Sequence, residues 1–182
     1  FLYLPPRHPF FRVPDELPDD LLGPVNCAMG TVTTGLQRAG AKEGDFVVIQ
    51  GAGGLGLHAI AMAKDMGADR VIVLDRLANR LELAEEFGAD YTINIEEFNT
   101  AETRVERVKE LTGGKGVDLV IESVGGDILL ASIDATAFNG SIITCGAHAG
   151  EHPAINVIEL FRKQVRLQGS HYASRLEIEH VL

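Results

Sequence analysis

The stretch VVIQGAGGLGLHAIAMAKDMGADRVIVLDR, residues 47–76, determines the predicted fold more than any other part of this sequence. Its first apolar run predicts a buried strand, and that run ends in a cluster of glycines. A long amphipathic segment, which predicts a helix, follows, and a second apolar run ends at the acid Asp75. The order of strand, glycine turn, helix and strand predicts one β-α-β unit of a parallel sheet.

The glycines match the pattern G-x-G-x-x-G at Gly51, Gly53 and Gly56, directly after the predicted strand. We expect Gly51 to permit the tight turn, Gly53 to let the backbone approach a pyrophosphate, and Gly56 to let the helix pack close to the sheet. The free N–H groups of the first helical turn, at Gly54 and Leu55, are then placed to hold phosphate. The pattern therefore predicts a dinucleotide site, with an ordinary glycine-rich turn as the alternative.

Asp75 lies 24 residues beyond Gly51, at the end of the second predicted strand. A carboxylate at that point accepts hydrogen bonds from the adenosine ribose hydroxyls and repels a 2′-phosphate, which predicts NAD rather than NADP. Arg76 follows immediately, and its positive charge could weaken that preference.

Strand and helix signals alternate through the rest of the chain. Strands are predicted at residues 45–50, 71–74, 91–95, 117–122, 141–144 and 165–169, helices at 26–36, 55–66, 77–87, 103–111 and 128–135, and a helix or extended segment at 156–161. Several strands are continuous apolar runs, such as FVVI and VIVL, which is typical of parallel strands covered on both faces. We therefore predict an α/β fold with a doubly wound parallel sheet (a Rossmann fold) of six strands, with helices on both faces.

Ligands of such sheets bind outside the carboxyl ends of the strands. This rule points to Ser123 and Val124 as residues that border the nicotinamide ribose, and to Cys145 and Ser170 as residues near the nicotinamide ring. Plain loop packing is the alternative for each of the four.

Charge and composition limit the partners and the location of the chain. A net charge of −10, from 16 basic and 26 acidic residues without a basic block, argues against nucleic acid and anionic membranes as partners. No apolar run reaches the length of a membrane span, and no signal-peptide pattern opens the sequence. Two cysteines are too few for a disulfide framework and indicate a reducing compartment, so we expect a cytoplasmic location.

The whole set of segments resembles the medium-chain dehydrogenase/reductase superfamily, in particular its zinc-dependent alcohol dehydrogenases. The resemblance covers nearly the whole chain and includes VNCAMGTVTTGLQRAG, VIQGAGGLGLHAIAMAKDMGA, VIVLDRLANRLELAEEFGAD, GVDLVIESVG and VRLQGSH, in that order. It implies reversible hydride transfer between an alcohol and NAD, with zinc acting as a Lewis acid on the alcohol oxygen in the intact enzyme. The substrate is then a small alcohol or carbonyl compound.

The resemblance also implies a domain organisation. Residues 1–20 hold five of the seven prolines and read as an extended linker, and the chain closes at RLEIEHVL, in a helical pattern. We therefore expect a piece of a longer protein. Residues 1–25 would be the linker or last segment of the catalytic domain, and residues 26–182 an NAD-binding domain truncated at its C-terminal end. Such a piece is expected to bind NAD without turnover.

Further site residues are implied only by the resemblance. Cys27 matches a zinc ligand, Thr31 matches a residue that touches the nicotinamide, and Arg80 matches a basic residue that reaches the adenosine ribose. A catalytic zinc site needs three protein ligands, and the sequence has no Gly-His-Glu motif, no upstream cysteine ligand and no four-cysteine loop. Zinc is therefore expected in the intact enzyme and not in this chain. The segment PAINVIEL (153–160) resembles one that pairs edge strands between subunits, which implies a homo-oligomer.

Three alternatives remain open. A zinc-free quinone or enoyl reductase would use NADPH, and Cys27 and Asp75 argue against it. A non-catalytic module that senses a nucleotide would keep the fold without the chemistry, although VNCAMGTVTTGLQRAG fits a dehydrogenase hinge better. A methyltransferase that binds S-adenosylmethionine usually has an acid just before its glycines, where this chain has Gln50.

Overall fold

The computed structural model describes residues 22–173 and, before them, residues 3, 5, 10 and 12–19. The predicted linker of residues 1–20 therefore lies partly outside the described residues, and the helical pattern RLEIEHVL lies wholly outside them. In the part that is described, no helix is both long enough and apolar enough to cross a membrane.

Strands and helices alternate along the described chain. The strands are β1 (Phe46–Gln50), β2 (Arg70–Asp75), β3 (Tyr91–Asn94), β4 (Val117–Glu122), β5 (Thr136–Thr144) and β6 (Arg166–Gly169). A π-helical turn (Val25–Met29) leads into α1 (Gly30–Ala39), and α2 (Gly54–Asp65), α3 (Ala78–Glu86), α4 (Ala101–Leu111), α5 (Gly126–Ala135) and α6 (Val157–Arg162) follow.

The six strands form one parallel sheet in the order β3-β2-β1-β4-β5-β6. The chain builds outward from β1 to β3, crosses back, and builds outward in the other direction from β4 to β6. The strand order therefore reverses between β1 and β4, which is where such sheets bind ligands. This topology confirms the predicted doubly wound fold.

Apolar side chains fill a layer on each face of the sheet. On one face Ile49 packs in a core with Leu36 of α1 and Ile60 of α2. On the other face Val48 packs in a second core with Leu129 of α5 and residues of α4. Because both faces of the strands are covered, the strands carry the continuous apolar runs seen in the sequence.

The carboxyl ends of the central strands lie at one edge. Gln50 at the end of β1 stands opposite Glu122 of β4, and Glu122 stands opposite Thr144 of β5. The loops that leave these strands are consequently neighbours, although they are far apart in sequence.

Two element boundaries differ most from the sequence-based expectation. The predicted helix at 26–36 is a π-helical turn followed by α1, which ends only at Gly40, where φ is 78°. Strand β5 begins at Thr136 rather than at residue 141. Asn139 and Gly140 look like a turn in the sequence, and Asn139 does adopt a φ of 62°, but Thr136 already pairs with Val117 of β4.

Candidate cofactor-binding cleft

A cleft of about 630 Å³ opens at the carboxyl ends of β1, β2 and β4. It is lined by Gln50, Gly51, Gly53, Gly54, Leu55, Gly56, Leu74, Asp75, Arg76, Arg80, Ile95, Arg104, Ser123, Val124, Ile128, His148 and Ala149. Ten of the residues predicted to bind cofactor are in this set: the five of the glycine loop, the three near the adenosine ribose, and Ser123 and Val124. The cleft therefore brings most of the predicted site together.

The glycine loop has the backbone geometry that its sequence predicts. Gly51 directly follows β1 and has a φ of 96°, which is unfavourable for residues other than glycine. Its N–H donates to the carbonyl of Leu74 at 2.8 Å. A Cβ on Gly56 would collide with the carbonyl oxygen of Gly51, so only glycine lets α2 approach the strand this closely. The loop is thus held tightly against the sheet.

The N-terminus of α2 is open to the cleft. Gly53 is the N-cap residue and provides no side-chain cap, and the first three helical amides, those of Gly54, Leu55 and Gly56, have no acceptor within their helix. A Cβ built on Gly53 or Gly54 meets nothing within 4 Å. Free donors, the positive end of the helix dipole and open space above the backbone together fit a pyrophosphate.

Asp75 ties the glycine loop to the end of β2. Its side chain is 7% exposed, its Oδ2 accepts the N–H of Ala52 at 2.8 Å, and its Oδ1 accepts the N–H of Leu77 at 3.0 Å. The Arg80 Nη1 atom lies 3.8 Å from Oδ2. Because each carboxylate oxygen has two acceptor positions, Asp75 keeps capacity for ribose hydroxyls after these backbone bonds.

The opposite wall of the cleft comes from the loops after β4 and β5. Ser123 donates its hydroxyl to the carbonyl of Gln50 at 3.3 Å, which ties the β4 loop to β1. The N–H of Ala149 donates to the carbonyl of Val124 at 2.6 Å, which ties the β5 loop to the β4 loop. Below them lies the fully buried Glu122, and burial raises the pKa of its carboxyl group, although backbone N–H groups of the loop oppose the shift.

Cys145 and Ser170 are not among the residues that line the cleft. Cys145 packs against one of the two cores, and its thiol lies 3.6 Å from the carbonyl oxygen of Glu122. Burial, together with the negative charge of Glu122, raises the pKa of the Cys145 thiol to about 11. Ser170 is buried and donates its hydroxyl to the carbonyl of Thr31 at 2.9 Å, so it links the end of β6 to α1. Their proposed contacts with nicotinamide stay predictions.

Cys27 and Thr31 lie at the start of the described domain. Cys27 is an exposed free thiol on the π-helical turn, and Thr31 is buried in the first turn of α1. Among the described residues, no group of three His, Cys, Asp or Glu side chains is placed to hold a metal ion. The donor set at Cys27 therefore does not fit a zinc site by itself, because zinc needs three protein ligands.

Several residues of the cleft were not predicted as site residues. Arg104 enters from α4 and Ile128 from α5, while His148 and Ala149 come from the loop after β5. No local motif marks Arg104 or Ile128, because they reach the cleft only through the way their helices pack on the sheet. The sequence predicts that a loop follows β5, but it does not show which residues of that loop face the cleft.

Comparison with known proteins gives the family. Residues 54–182 match the sequence model of the zinc-binding dehydrogenases. An uncharacterized zinc-type alcohol dehydrogenase-like protein of Haemophilus influenzae is 32% identical over 97% of this chain and 50% of its own length. The 5-exo-hydroxycamphor dehydrogenase of Pseudomonas putida is 38% identical over 69% of this chain and 35% of its own length.

Solved structures agree with the sequence comparison. The crystal structure of an alcohol dehydrogenase from Thermotoga maritima superimposes with a TM-score of 0.86 and 30% identity, over 93% of this chain and 47% of that one. This chain spans half or less of the length of these relatives. The resemblance inferred from the sequence is confirmed: the chain belongs to the zinc-binding dehydrogenase family, and its doubly wound sheet is the cofactor-binding domain of that family.

Proposed function

We propose that this chain is the NAD-binding domain of an oxidoreductase that transfers hydride between a small alcohol and NAD. The observation that carries the proposal is the single cleft at which the glycine loop, the open N-terminus of α2 and Asp75 meet. The family and the named dehydrogenase activity of a relative, the 5-exo-hydroxycamphor dehydrogenase, support the reaction class.

Different residues of the cleft bind different parts of NAD. The amides of Gly54, Leu55 and Gly56 bind the pyrophosphate, and Asp75, with Arg80 beside it, accepts the adenosine ribose hydroxyls. Bound NAD supplies the hydride acceptor, while the protein supplies binding and orientation. Since Asp75 marks the adenosine end, the nicotinamide half lies toward Ser123 and Val124, at the β4 side of the strand-order reversal.

A substitution at Gly53 tests the proposal. The backbone there has φ −81° and ψ −169°, which any residue adopts, and the space at its Cβ is open. We expect Gly53→Val to fold as the unmodified chain does and to bind NAD weaker by about tenfold or more in calorimetric titration, because the new side chain fills the place of the pyrophosphate. Gly23→Val, also in open space, is the matched control. Equal NAD affinity of the two variants would overturn the proposal.

Among the residues that the structure describes, no three His, Cys, Asp or Glu side chains come together as zinc ligands. Cys27 offers one ligand where three are required, so we propose that turnover requires ligands and a substrate pocket from outside this chain. Catalytic roles for Cys27 and Thr31 stay predictions within the intact enzyme. Both described cysteines are free thiols, which supports the proposed reducing, cytoplasmic location.

We also propose that the chain forms a homodimer through the β6 edge of the sheet. Within the described residues β6 pairs only with β5, so its outer edge presents unpaired backbone groups. Just before β6 in the chain, α6 exposes three large apolar side chains: Val157 is 63%, Ile158 49% and Phe161 63% exposed. A second copy of the chain covers both features at once, because a two-fold axis pairs one edge strand with its own symmetry mate.

Sedimentation velocity tests the dimer. We expect the unmodified chain to sediment as a dimer at micromolar concentration and Phe161→Asp to sediment as a monomer, because a charge in an apolar interface is not compensated. Leu83→Asp, at a half-exposed apolar position on α3, is the control and should leave the dimer intact. A monomeric unmodified chain, or a dimer that survives Phe161→Asp, would contradict the proposal.

A further inference from the structure

β4 ends in a carboxylate that lies entirely inside the protein. Glu122 is 0% exposed, and it follows three buried apolar residues of the strand, Leu119, Val120 and Ile121. Removing a charge from water is costly unless hydrogen bonds compensate it. A buried acid after this apolar run therefore needs hydrogen-bond partners that compensate its loss of hydration.

The side chain of Glu122 turns back onto the loop that follows its own strand. Its Oε1 accepts the N–H of Val124 at 2.6 Å and the N–H of Gly125 at 2.8 Å. Its backbone carbonyl accepts the N–H of Cys145 at 2.9 Å, at the end of β5. One residue thus holds the turn of residues 123–125 with its side chain and the end of the neighbouring strand with its main chain.

The turn is also interlocked with the loop after β5. Gly126 donates its N–H to the carbonyl of Gly150 at 3.0 Å, and Gly125 and Gly150 form an isolated parallel bridge. A Cβ on Gly125 would come within 2.6 Å of the Gly150 carbonyl oxygen, so the two loops touch backbone to backbone. Moving the turn would move His148 and Ala149, which line the same wall of the cleft.

The second carboxylate oxygen of Glu122, Oε2, is buried and has no hydrogen-bond partner among the described residues. The Thr144 side chain lies close enough to oppose the rise of the Glu122 pKa, but the close hydrogen bonds are those of Oε1 with the two adjacent amides. In its ionised form this carboxylate is a charge-assisted acceptor, which is a stronger restraint than a neutral acceptor gives. An apolar residue of the same size would fill the strand end equally well but would leave those two amides unsatisfied.

We propose that Glu122 is a positioning residue that fixes the wall of the cleft formed by residues 123–125 and 146–150 against the nicotinamide half of NAD. This inference rests on the proposed function, since it concerns the same cleft. Glu122 does not touch the cofactor; it acts through the two amides of the turn. The adenosine half, held by the glycine loop and Asp75, does not depend on it.

Calorimetric titration with NAD and with ADP separates the two halves, because ADP lacks the nicotinamide riboside. We expect Glu122→Met to weaken NAD binding by about tenfold and to leave ADP binding within about twofold of the unmodified chain. Glu122→Gln keeps a neutral acceptor for the two amides, so its affinity for NAD should lie between those of the unmodified chain and Glu122→Met. Asp118→Asn is the matched control: Asp118 lies near the other end of β4, and its carboxylate also accepts a backbone N–H, that of Phe46 at 2.9 Å. It should change neither affinity.

Equal losses of NAD and ADP affinity in the Glu122 variants, or no loss of either, would overturn the positioning role alone. Failure of the unmodified chain to bind NAD would overturn the proposed function and this inference together.

Hydrogen exchange of the unmodified chain is a test that needs no variant and therefore does not require that any variant folds. NAD should protect peptides that cover 122–126 and 146–150 together, and ADP should protect only the glycine loop. Protection of all three segments by ADP would contradict the proposal.

Discussion

Gly53 and Gly56 belong to one loop, yet a methyl group added at each meets different surroundings. At Gly56 it collides with the Gly51 carbonyl oxygen, a backbone atom that cannot move without the strand end, whereas at Gly53 it meets nothing within 4 Å. We expect Gly56→Ala to lower the free energy of unfolding by about 2 kcal/mol or more in urea denaturation. Gly53→Ala, the matched control, should lose less than about 1 kcal/mol, the cost of a poorer N-cap. Similar losses at both positions would show that the close approach at Gly56 is not maintained in solution.

The two cysteines should differ in reactivity. Burial and the charge of Glu122 raise the pKa of Cys145 to about 11, while Cys27 is exposed. At pH 8 only about one Cys145 in a thousand is the reactive thiolate, so iodoacetamide should label Cys27 and spare Cys145, as read by mass spectrometry of peptides. Because the pKa is raised, labelling of Cys145 should increase about tenfold per pH unit between pH 8 and 10. Rapid labelling of Cys145 at pH 8 in the folded chain would contradict its burial, and urea should expose both.

At the residue scale the sequence predicted what local geometry dictates and little else. Gly51 and Asp75 could be assigned roles because the spacing from a strand end fixes their positions. Arg104 could not, because it reaches the cleft only through the packing of α4 on the sheet. The hydrogen bonds that the buried Glu122 side chain accepts could not be predicted either. No sequence pattern distinguishes an acid that bends back onto the turn after its own strand from one that faces solvent.

At the scale of elements, the C-terminal end of α5 is held by the side chain of Lys163, the residue directly after α6. The Nζ atom of Lys163 donates to the carbonyls of Ile133, Asp134 and Thr136 at 2.9, 2.8 and 3.1 Å. The carbonyls of Ile133 and Asp134 belong to the last turn of α5 and lack helical partners, so we expect Lys163→Met to destabilise the chain by about 1–3 kcal/mol in urea denaturation. Lys115→Met, at an exposed position, should cost almost nothing. A loss at Lys163 no larger than at Lys115 would show that this helix cap contributes no stability.

The sequence predicted the elements well where hydrophobic burial decides them. Strands β1, β2 and β4 are apolar runs because both their faces are covered, and their predicted ranges agree closely with the structure. The start of β5 was missed because strand pairing overrides the turn signal of Asn139 and Gly140. The π-helical turn before α1 has no sequence signature that separates it from an ordinary first helical turn.

At the scale of the whole molecule, the site follows from topology. The reversal of strand order between β1 and β4 separates the loops above them, and the cleft opens in that gap. The glycine loop and Asp75 supply one side of the cleft, and the loops after β4 and β5 supply the other. The chain itself spans half or less of the length of the relatives described above.

We propose that this cleft binds NAD and that Asp75 selects NAD over NADP. The decisive experiment is calorimetric titration of the unmodified chain with NAD and then with NADP, under the same conditions. We predict NAD binding with NADP weaker by about tenfold or more, because the Asp75 carboxylate repels a 2′-phosphate, and a smaller difference for Asp75→Asn. Equal or tighter binding of NADP would mean that Arg76 and its neighbours Arg80 and Arg104 outweigh the carboxylate, and binding of neither cofactor would contradict the account of the cleft.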